Sequence, residues 1–361
     1  MKKTINIPLG SQHIALLEPV RFGFECENEK IIKVEADVGY VHRGVELACT
    51  TKFKFKQVGY VVARVCGLCA IVHSTCYTLA CEELLGLEAP RRASYLRIIA
   101  NELDRIHSHL LCLAHTAENA GFEALFMRTM KDRELIMEAQ ETLTGNRVQF
   151  DYVCIGGVNK DVTTDIERVV KEKLTLLKQK VAEIEELFLN NWSLSLKYKG
   201  VGTITTESAL RCSVLGPLAR ASGVDFDVRN ESDYLPYKEL GFKSVIEGSG
   251  DVHARNMVRL REVFESIRLI EAALDGLPEG EIASKVKGAP DGESYMRVEA
   301  PRGECFYYLK GSKGQYLDRV RIKTPTFGSV PAMVEALTGQ NYADAPAIIA
   351  SFDPCLSCTA R

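Results

Sequence analysis

The spacing of hydrophobic positions changes along the chain, from two residues near the N-terminus to three and four residues beyond residue 70. Within residues 1–40 apolar and polar residues alternate, as they do on a half-buried β-strand. Four apolar residues of this region are expected to share one strand face: Ile32, Val34, Ala36 and Val38. The pattern therefore predicts a β-rich lobe at the N-terminus.

Helical spacing dominates the middle of the chain. The first helical stretch ends before Gly86, a residue that suits the left-handed C-cap of a helix. Apolar stripes then predict three long amphipathic helices, over residues 91–121, 161–192 and 251–275. Asp161 is expected to be the N-cap of the second long helix.

Strand-like alternation returns near the C-terminus. The stretch "GECFYYLKGSKGQYLDRVRIKTP" predicts a β-hairpin with its turn at residues 311–315. Together these elements predict an α+β fold, in which a bundle of long helices carries small β lobes at the N-terminus and before the C-terminus. We expect a single domain over residues 1–361, with a β-rich lobe (1–50), a helical core (70–280) and a hairpin with a C-terminal segment (295–361).

The 361-residue chain has an ordinary globular composition, with 46% hydrophobic and 26% charged residues. Its formal net charge of −3 gives no basis for general binding to nucleic acid or anionic lipid, so no nucleic-acid partner is expected. The N-terminal stretch lacks the apolar segment of a secretory signal, and no apolar run reaches the ~18 residues of a membrane-spanning helix. We therefore expect an intracellular protein in a reducing compartment, where cysteines serve metal, redox or core roles.

Two CxxC pairs are the main chemical feature of the sequence. Cys66 and Cys69 lie in "ARVCGLCAIVHS", and Cys355 and Cys358 lie in "DPCLSCTAR" at the end of the chain. Four thiolates would select zinc, an iron–sulfur cluster, nickel or copper(I) over hard cations. Because nearly the whole chain separates the pairs, a compact zinc finger is disfavoured, but structural zinc and a plain iron–sulfur cluster remain open. The other cysteines show no paired spacing and are expected to be small core residues: Cys26, Cys49, Cys76, Cys81, Cys112, Cys154, Cys212 and Cys305.

Two residues beside these pairs extend the candidate site. His73 lies four residues after Cys69, so a helix would place both on one face, and a ring N–H could donate to a thiolate. The alternative is a core histidine satisfied by a backbone carbonyl. Asp353, just before the second pair, is unsuited as a ligand among four thiolates and is expected to pair with a nearby cation.

The two motifs carry a family resemblance. The pattern RxCGxCxxxH near the start of the chain, with DPCxxCxxR at its end, resembles the large subunit of nickel–iron hydrogenases. The segments "LGSQH", "GPLARASGVDFDVR" and "GDVHARNMVRLREV" are similar to the quinone-site subunit of respiratory complex I, a relative that lacks the four cysteines. A chain with both sets of features resembles the energy-converting, membrane-complex branch of nickel–iron hydrogenases, whose members are ferredoxin-, CO- or formate-linked.

The resemblance implies a dinuclear Ni–Fe(CO)(CN)2 centre that forms and cleaves H2 heterolytically. By motif position, Cys66 and Cys355 would be terminal nickel ligands. Cys69 and Cys358 would bridge nickel and iron. His73 would lie beside this centre as a tuning or catalytic group.

The same resemblance assigns roles to the segment "EAPRGE". Arg302 would hold a guanidinium over the open metal position, and Asp353 would orient it. Pro301 would help to line the pocket of the diatomic ligands. The alternative reading from the residues alone is a surface arginine in a turn before the hairpin.

Two glutamates complete the implied site. Glu18, in "ALLEPV", occupies the position of the family's first proton-relay carboxylate, although a surface glutamate at a strand end is a competing reading. Glu46, in "HRGVE", occupies the position that in many relatives binds a second hard cation, Mg2+ or Fe2+, near the C-terminus. Because this chain ends in Arg361, which cannot be a metal ligand, Glu46 pairing with an arginine is the alternative.

The partners implied by the resemblance are a hydrogenase small subunit with a 4Fe–4S cluster, a ferredoxin-like Fe–S subunit, membrane ion-translocating subunits and maturation factors. The chain itself would be peripheral, at the cytoplasmic face of the cell membrane. Two other functions stay open: a complex-I-like quinone oxidoreductase subunit, and a non-catalytic scaffold whose four cysteines bind structural zinc.

Overall fold

A small antiparallel sheet opens the chain in the computed structural model, which describes residues 4–13 and 15–361. Its strands are β1 (Thr4–Leu9), β2 (Arg21–Glu27) and β3 (Lys30–Asp37), and β2 lies between the other two. The predicted β-rich start of the chain is therefore present in the described residues.

The predicted inner face of β3 is wrong at one position. Ile31 is fully buried, whereas Ile32 is 42% exposed. The pairing of β3 with β2 shifts by one residue between Glu25 and Cys26, and this bulge turns Ile32 towards solvent. Val34 is buried, as expected.

Helices and short strands follow the sheet in chain order. They are α1 (Val45–Thr51), α2 (Phe55–Val62), α3 (Ala70–Leu85), α4 (Arg91–Asn119), α5 (Glu123–Thr144), β4 (Val153–Cys154), β5 (Gly157–Val158), α6 (Thr164–Asn190), α7 (Trp192–Tyr198), α8 (Thr206–Arg211), α9 (Pro217–Ala221), α10 (Val228–Glu231) and α11 (Val252–Asp275). The long helix α4 packs against α5 on one side and α11 on another. This helical core matches the predicted α+β fold.

Helix boundaries follow local chemistry. Gly86 ends α3 with φ +57°, the left-handed C-cap that the sequence predicts. The predicted N-cap of α6 is wrong, because the cap is Thr163, whose hydroxyl accepts from the Ile166 N–H. The Asp161 carboxylate instead accepts from Arg92 and from the Val162 N–H, so it is not free to cap the helix.

A second antiparallel sheet and three helices close the chain. They are β6 (Asp291–Ala300), β7 (Gly303–Ser312), β8 (Arg319–Lys323), α12 (Pro325–Leu337), α13 (Ala345–Ser351) and α14 (Leu356–Thr359). Strands β7 and β8 are the predicted hairpin, and β7 also pairs with β6 along its whole length. Gly303, at φ +124°, makes the tight β6–β7 turn, where an added Cβ would lie only 3.0 Å from the backbone of Gly216.

No helix in the described ranges is both long enough and apolar enough to cross a bilayer. The longest, α4, carries buried charged side chains along its middle, among them Glu102, Asp104 and Arg105. The division of residues 1–361 into one domain with three parts stays a prediction.

Candidate metal centre

The first cysteine pair lies on a short loop between two helical elements. A 3-10 turn, Ala63–Val65, ends at Cys66, and Cys69 is the N-cap residue of α3. The Leu68 N–H donates to the Cys66 sulfur at 3.2 Å. The backbone of the loop thus supplies a donor to one of its own sulfurs.

The second pair is placed by the first turn of α14. Cys355 is its N-cap residue, and the Cys355 sulfur accepts from the Cys358 N–H at 3.4 Å. The Cys355 N–H donates to Thr326 Oγ1 at 3.2 Å, which ties the loop to α12. Asp353 precedes it at φ +52°, a left-handed conformation that side chains other than glycine seldom adopt.

The two pairs meet in space, as their shared chemistry predicts. The sulfurs of Cys66 and Cys355 are 3.3 Å apart, and those of Cys69 and Cys358 are 4.0 Å apart. The sulfurs of Cys66, Cys69 and Cys358 all lie within 4.8 Å of one another. All four side chains are at most 3% exposed. Four thiols from opposite ends of the chain therefore form one buried cluster.

The cluster favours one thiolate before any metal binds. Hydrogen bonds from Cys355, Cys358 and Cys69 lower the pKa of Cys66 well below its usual value, although burial opposes this. Hydrogen bonding with Cys355 and Cys66 raises the pKa of Cys358 well above its usual value. A bound metal would be needed to displace the remaining protons and make all four sulfurs thiolates.

Arg302 lies beside this cluster, in the β6–β7 turn. Its Nε donates to the Asp353 carbonyl at 2.8 Å, its Nη2 to Asp353 Oδ1 at 2.7 Å, and its Nη1 to Ser108 Oγ at 3.2 Å. Only 5% of Arg302 is exposed, so the reading as a surface arginine is wrong. Burial lowers the pKa of Arg302, but the nearby charge of Asp353 and the sulfurs of Cys355 and Cys66 outweigh this and leave the pKa well above its usual value.

Asp353 is the predicted carboxylate partner of a cation. Its Oδ1 is paired with Arg302, while its buried Oδ2 has no hydrogen-bond partner in the described part of the chain. Pro301 is buried in the same turn as Arg302. Its role in lining a pocket for diatomic ligands stays a prediction.

His73 reaches the cluster from α3. Its Nε2 is 3.4 Å from the sulfur of Cys358, and its Nδ1 is 2.7 Å from the hydroxyl of Tyr307. The thiol partner is Cys358 of the second pair, whereas the sequence spacing points to Cys69. The reading as a histidine satisfied by a backbone carbonyl is wrong.

Glu18 contacts the second cysteine loop. Its carboxylate accepts from the N–H groups of Leu356 and Ser357 and from the Ser357 hydroxyl. The side chain is half-buried and lies outside the strands, so it is not a strand-end surface residue. Its role in a proton relay stays a prediction.

Glu46, on α1, is paired with arginines. Its carboxylate accepts from Arg361 Nε at 3.1 Å, from Arg321 Nη1 at 3.1 Å and from the Ile322 N–H at 2.9 Å. Burial raises the pKa of Glu46, but these donors lower it to a net value below the usual one. The arginine alternative is therefore observed, and the second hard cation stays a prediction.

Arg43 is a site residue that the sequence pattern does not indicate. Its guanidinium donates to the carbonyls of Arg64 and Val65, just before Cys66, and to the Ser357 carbonyl within the second pair. One side chain thus joins both cysteine loops. Arg43 directly precedes Gly44 and α1, and no local pattern distinguishes it from other surface arginines.

A buried ion-pair network lies behind the cluster. It is built around Arg220, whose guanidinium is within 3.0 Å of Asp227, Glu262 and Glu299. Arg229 extends it by pairing with Asp227 at 2.7 Å. Most of these residues come from the two long segments that resemble the complex I protein, so those segments build an internal charge network in this chain.

Glu299 links that network to the turn of Arg302. Its carboxylate pairs with Arg220 at 2.9 Å, and its carbonyl accepts from Arg105 at 2.8 Å. Burial and the neighbouring charge of Asp227 raise the pKa of Glu299 to about 7, although Arg220 lowers it. The network therefore contains one carboxyl group that titrates near neutral pH.

The donor set fits a soft metal centre. Four convergent sulfurs with no other ligand type suit nickel, iron or zinc, and they are a poor site for hard cations. Polar groups also lie beside the sulfurs. They are the buried guanidinium of Arg302 and the Asp353 Oδ2 atom, which has no hydrogen-bond partner among the described residues. The thiol cluster and its surroundings are thus suited to hold a metal with further, non-protein ligands.

Two family models together match nearly all of the chain after residue 42. Residues 43–117 match the model described as nickel-dependent hydrogenase. Residues 119–288 and 283–361 match the model described as the 49 Kd subunit of respiratory-chain NADH dehydrogenase. The first match contains the CGLC loop, and the second contains the C-terminal pair.

Relatives match the chain over almost its full length. The "Membrane-bound hydrogenase subunit alpha" of Pyrococcus furiosus is 36% identical over 100% of this chain and 89% of its own. The "Carbon monoxide-induced hydrogenase" of Rhodospirillum rubrum is 36% identical over 99% of both chains. An NADH-quinone oxidoreductase subunit of Koribacter versatilis is 33% identical over 97% of this chain and 94% of its own.

A solved structure has the same fold. It is a chain of the membrane-bound sulfane sulfur reductase, described as an archaeal respiratory membrane complex, with a TM-score of 0.94 and 30% sequence identity. The match covers 99% of this chain and 98% of that chain. The relatives named here thus come from hydrogenases, from a quinone oxidoreductase and from a sulfur reductase.

Proposed function

The chain belongs to the family that unites nickel-dependent hydrogenase large subunits with the 49 kDa subunit of respiratory NADH dehydrogenase, and from this premise we propose that it is a hydrogenase. Its reaction would be the heterolytic formation and cleavage of H2 from two protons and two electrons. The observation that carries the proposal is the buried cluster of Cys66, Cys69, Cys355 and Cys358 with Arg302 beside it.

The cofactor would be held by these four sulfurs. Cys66 and Cys355 would hold nickel, and Cys69 and Cys358 would hold both nickel and iron. When bound, an Ni–Fe(CO)(CN)2 centre supplies the redox and Lewis-acid chemistry that makes H2 acidic.

Arg302 would provide a fixed positive charge next to the reacting position. Its two bonds to Asp353 and one to Ser108 leave the guanidinium little freedom to move. A charge oriented before the reaction costs no reorganisation during it, and burial strengthens its effect. Asp353 is then a positioning residue for Arg302.

Glu18 would carry protons between the cluster and solvent. Its carboxylate lies against the Leu356 and Ser357 N–H groups, which lie between the two cysteines of the second pair. It is half-buried, so it has access to both the interior and the surface. His73 would adjust the electron density on Cys358.

Electrons would reach the site through a small subunit with a 4Fe–4S cluster and a ferredoxin-like Fe–S subunit. Membrane ion-translocating subunits would couple the reaction to ion transport, and maturation factors would insert the metals. The chain would be a peripheral subunit at the cytoplasmic face of the membrane, in an energy-converting complex linked to ferredoxin, CO or formate.

A structural zinc scaffold is less well supported. Structural zinc closes its coordination with four protein ligands and needs no charged group beside it. Here a buried arginine, Arg302, lies beside the cysteines and is paired with Asp353, a charged group that a closed zinc site would not use.

A complex-I-like quinone oxidoreductase subunit is the second candidate. The family match over residues 119–361 and the relative from Koribacter versatilis favour it. The four convergent cysteines oppose it, because the quinone-site subunit of complex I lacks these four cysteines. Quinone reduction by the purified complex without bound nickel would favour this candidate.

Infrared spectroscopy of the complex purified with its partner subunits tests the proposal. We expect bands from metal-bound CO and cyanide, H2 activity, and their loss together with nickel in Cys358→Ser. The control is Cys154→Ser, which removes a thiol outside the cluster and should keep both. A purified complex that contains zinc and no such bands would overturn the proposal.

A further inference from the structure

Among the described residues, the buried ion-pair network behind the cluster contains three arginines but four carboxyl groups. All of these side chains are at most 2% exposed. An unbalanced charge is costly in such surroundings, so the composition of the network favours one bound proton. The arginines are Arg105, Arg220 and Arg229, and the acids are Glu102, Asp227, Glu262 and Glu299.

Glu299 is the acid of this network with the weakest donors. Its Oε1 accepts from Arg220 Nη1 at 2.9 Å, and among the described residues its Oε2 accepts only from the Val228 N–H, at 3.3 Å. The same Arg220 nitrogen lies 3.0 Å from Asp227 Oδ2, so two carboxyl groups share one donor and repel each other when both are charged. Asp227 is the better compensated of the two, because Arg229 donates to it from two side-chain nitrogens and from its backbone N–H. The proton therefore belongs on Glu299.

Two other cations could balance the extra carboxylate, but neither fits. His109 Nε2 lies 2.8 Å from Glu262, while its Nδ1 is buried with no partner in the described part of the chain. A charged ring would leave an N–H unsatisfied there, and burial lowers the pKa of His109 to about 4, so the ring is neutral near pH 7. Arg259 donates to the Arg255 carbonyl at 3.1 Å and forms no ion pair within the described ranges. The charge balance thus points to Glu299, whose pKa burial raises to about 7.

Two further titratable groups adjoin Glu299. The Tyr234 hydroxyl accepts from the Glu299 N–H at 3.4 Å, and burial raises the pKa of Tyr234, so this hydroxyl is uncharged near pH 7. Glu304 lies opposite Glu299 on β7 and is paired with Arg297 at 3.6 Å and with Lys323 at 3.7 Å. Neither group adds an unbalanced charge at Glu299.

The network lies directly behind the turn that carries Arg302. Glu299 precedes Arg302 by three residues, and Arg105 of α4 donates to the Glu299 carbonyl at 2.8 Å. Further along α4, Ser108 accepts from Arg302 at 3.2 Å. Charges interact strongly across buried protein, so a proton on Glu299 and the charge at the metal centre affect each other.

We propose that Glu299 is an internal proton-binding site, which takes up one proton when the metal centre is reduced and releases it when the centre is oxidised. The carboxylate forms one O–H bond as it binds the proton and breaks that bond on release, while the electron stays at the centre. The proton comes from solvent through internal water, for which Arg105 Nη1 and His109 Nδ1, both buried and unpaired in the described structure, offer partners. The coupling to the centre rests on the proposed function, whereas the bound proton is a property of the chain itself.

Glu299→Gln and Glu293→Gln are the matched variants for the test. Glutamine has the shape of the protonated acid, so Glu299→Gln should fold with the charges of the network balanced. Glu293 lies on the same strand but is exposed and paired with Lys310 at 2.8 Å, so its variant is the control. Carbon-13 labelling of glutamate carboxyl groups identifies glutamate bands in the wild type, which keeps the test decisive if Glu299→Gln does not fold.

Infrared difference spectroscopy of the purified complex between about pH 6 and about pH 8 gives the first readout. In the wild type and in Glu293→Gln we expect the carbonyl band of a protonated glutamate, which carbon-13 labelling shifts and which disappears with a midpoint near pH 7. Glu299→Gln should lack this band. A wild type with no glutamate band that titrates in this range overturns the inference, and so does a band that persists in Glu299→Gln.

Reduction of the same samples with dithionite at about pH 8 gives the second readout. The wild type and Glu293→Gln should gain the protonated-glutamate band as the CO band of the metal centre shifts, and Glu299→Gln should show the CO shift alone. A CO shift without the glutamate band in the wild type contradicts the coupling. The absence of any CO band contradicts the proposed function, and the pH titration then still decides whether Glu299 binds a proton.

Discussion

Single residues around the cysteine cluster are held from more than one direction. Arg302 is bound by Asp353 through both backbone and side chain, and by Ser108 from α4. Arg43 binds the backbone on both cysteine loops. Precise placement of this kind is what a reactive centre needs, because small displacements of a charged group cost large factors in rate.

Arg302→Lys tests the role of the guanidinium. A lysine keeps the charge but cannot make the two bonds to Asp353 and the third to Ser108 at once. We expect nickel and iron to be retained and the H2 turnover to fall by about 100- to 1,000-fold. Turnover and metal content of the purified complex measure this.

The control for that variant is Arg297→Lys. Arg297 lies on β6, close in sequence, but its side chain is 40% exposed and pairs with Glu304 at 3.6 Å. Its turnover should match the wild type. If Arg302→Lys keeps wild-type turnover as well, the assigned role of Arg302 is wrong.

At this scale the site residues are easier to predict from the sequence than their partners. The two CxxC motifs identify Cys66, Cys358 and Asp353 as site residues. These residues come together once the two cysteine loops meet. Tyr307 is missed, although the alternation along β7 places it on the same buried face as Cys305 and Leu309. Its partner His73 is far away in sequence, and no single-chain pattern indicates such a contact.

Elements of the core contain an unusual amount of buried charge. In α4, the carboxylate of Glu102 accepts from Arg105 at 3.0 Å and from Ser266 at 2.6 Å, and Arg229 lies 3.4 Å away. An amphipathic stripe predicts the apolar face of this helix correctly, but it does not predict that the polar face is buried too. That outcome depends on α10 and α11, whose Arg229 and Ser266 contact Glu102, and this is a tertiary effect.

Arg229→Leu tests the contribution of this network to stability. The substitution leaves Asp227 and Glu102 buried with one cation fewer, and breaking a buried pair in this way costs about 3–5 kcal/mol. Denaturant unfolding at neutral pH measures the loss. The control is Arg211→Met, which removes an exposed ion pair with Glu335 and should cost at most about 1 kcal/mol.

The pH dependence of that loss follows from the pKa of Glu102. Burial raises the pKa of Glu102, but Arg105 and Arg229 lower it to a net value below the usual one. A carboxylate with a lowered folded-state pKa contributes stability above its unfolded pKa of about 4.3 and loses it in more acidic solution. The difference between wild type and Arg229→Leu should therefore shrink below about pH 4, and a difference that grows there would contradict this explanation.

Residues from the first fifty positions of the chain hold its C-terminal segment beside the cluster. Glu18, between β1 and β2, and Glu46, on α1, both bind the C-terminal segment. The Ile31 carbonyl of β3 accepts from the Gly339 N–H at 2.7 Å, which ties the first sheet to the end of α12. A tail held at so many points is consistent with a metal site whose last ligands come from the end of the chain.

At this scale the sequence predicts the general architecture, but it does not predict every element that completes the fold. Spacing predicts long helices and a hairpin, and the motif pairs predict that the cysteine loops meet. The strand β6 and the helices α12 and α13 are not predicted, because they are short or lack a clear apolar period. Their positions depend on tertiary packing: β6 packs against β7, α13 against α4, and α12 against β3 of the first sheet.

The central claim is that four cysteines from opposite ends of the chain share one nickel-containing cage. Nickel K-edge X-ray absorption on the purified complex tests it most directly. The account predicts nickel bound to about four sulfur neighbours with an iron atom close by. Nickel with oxygen and nitrogen neighbours, or zinc in place of nickel, would contradict the account.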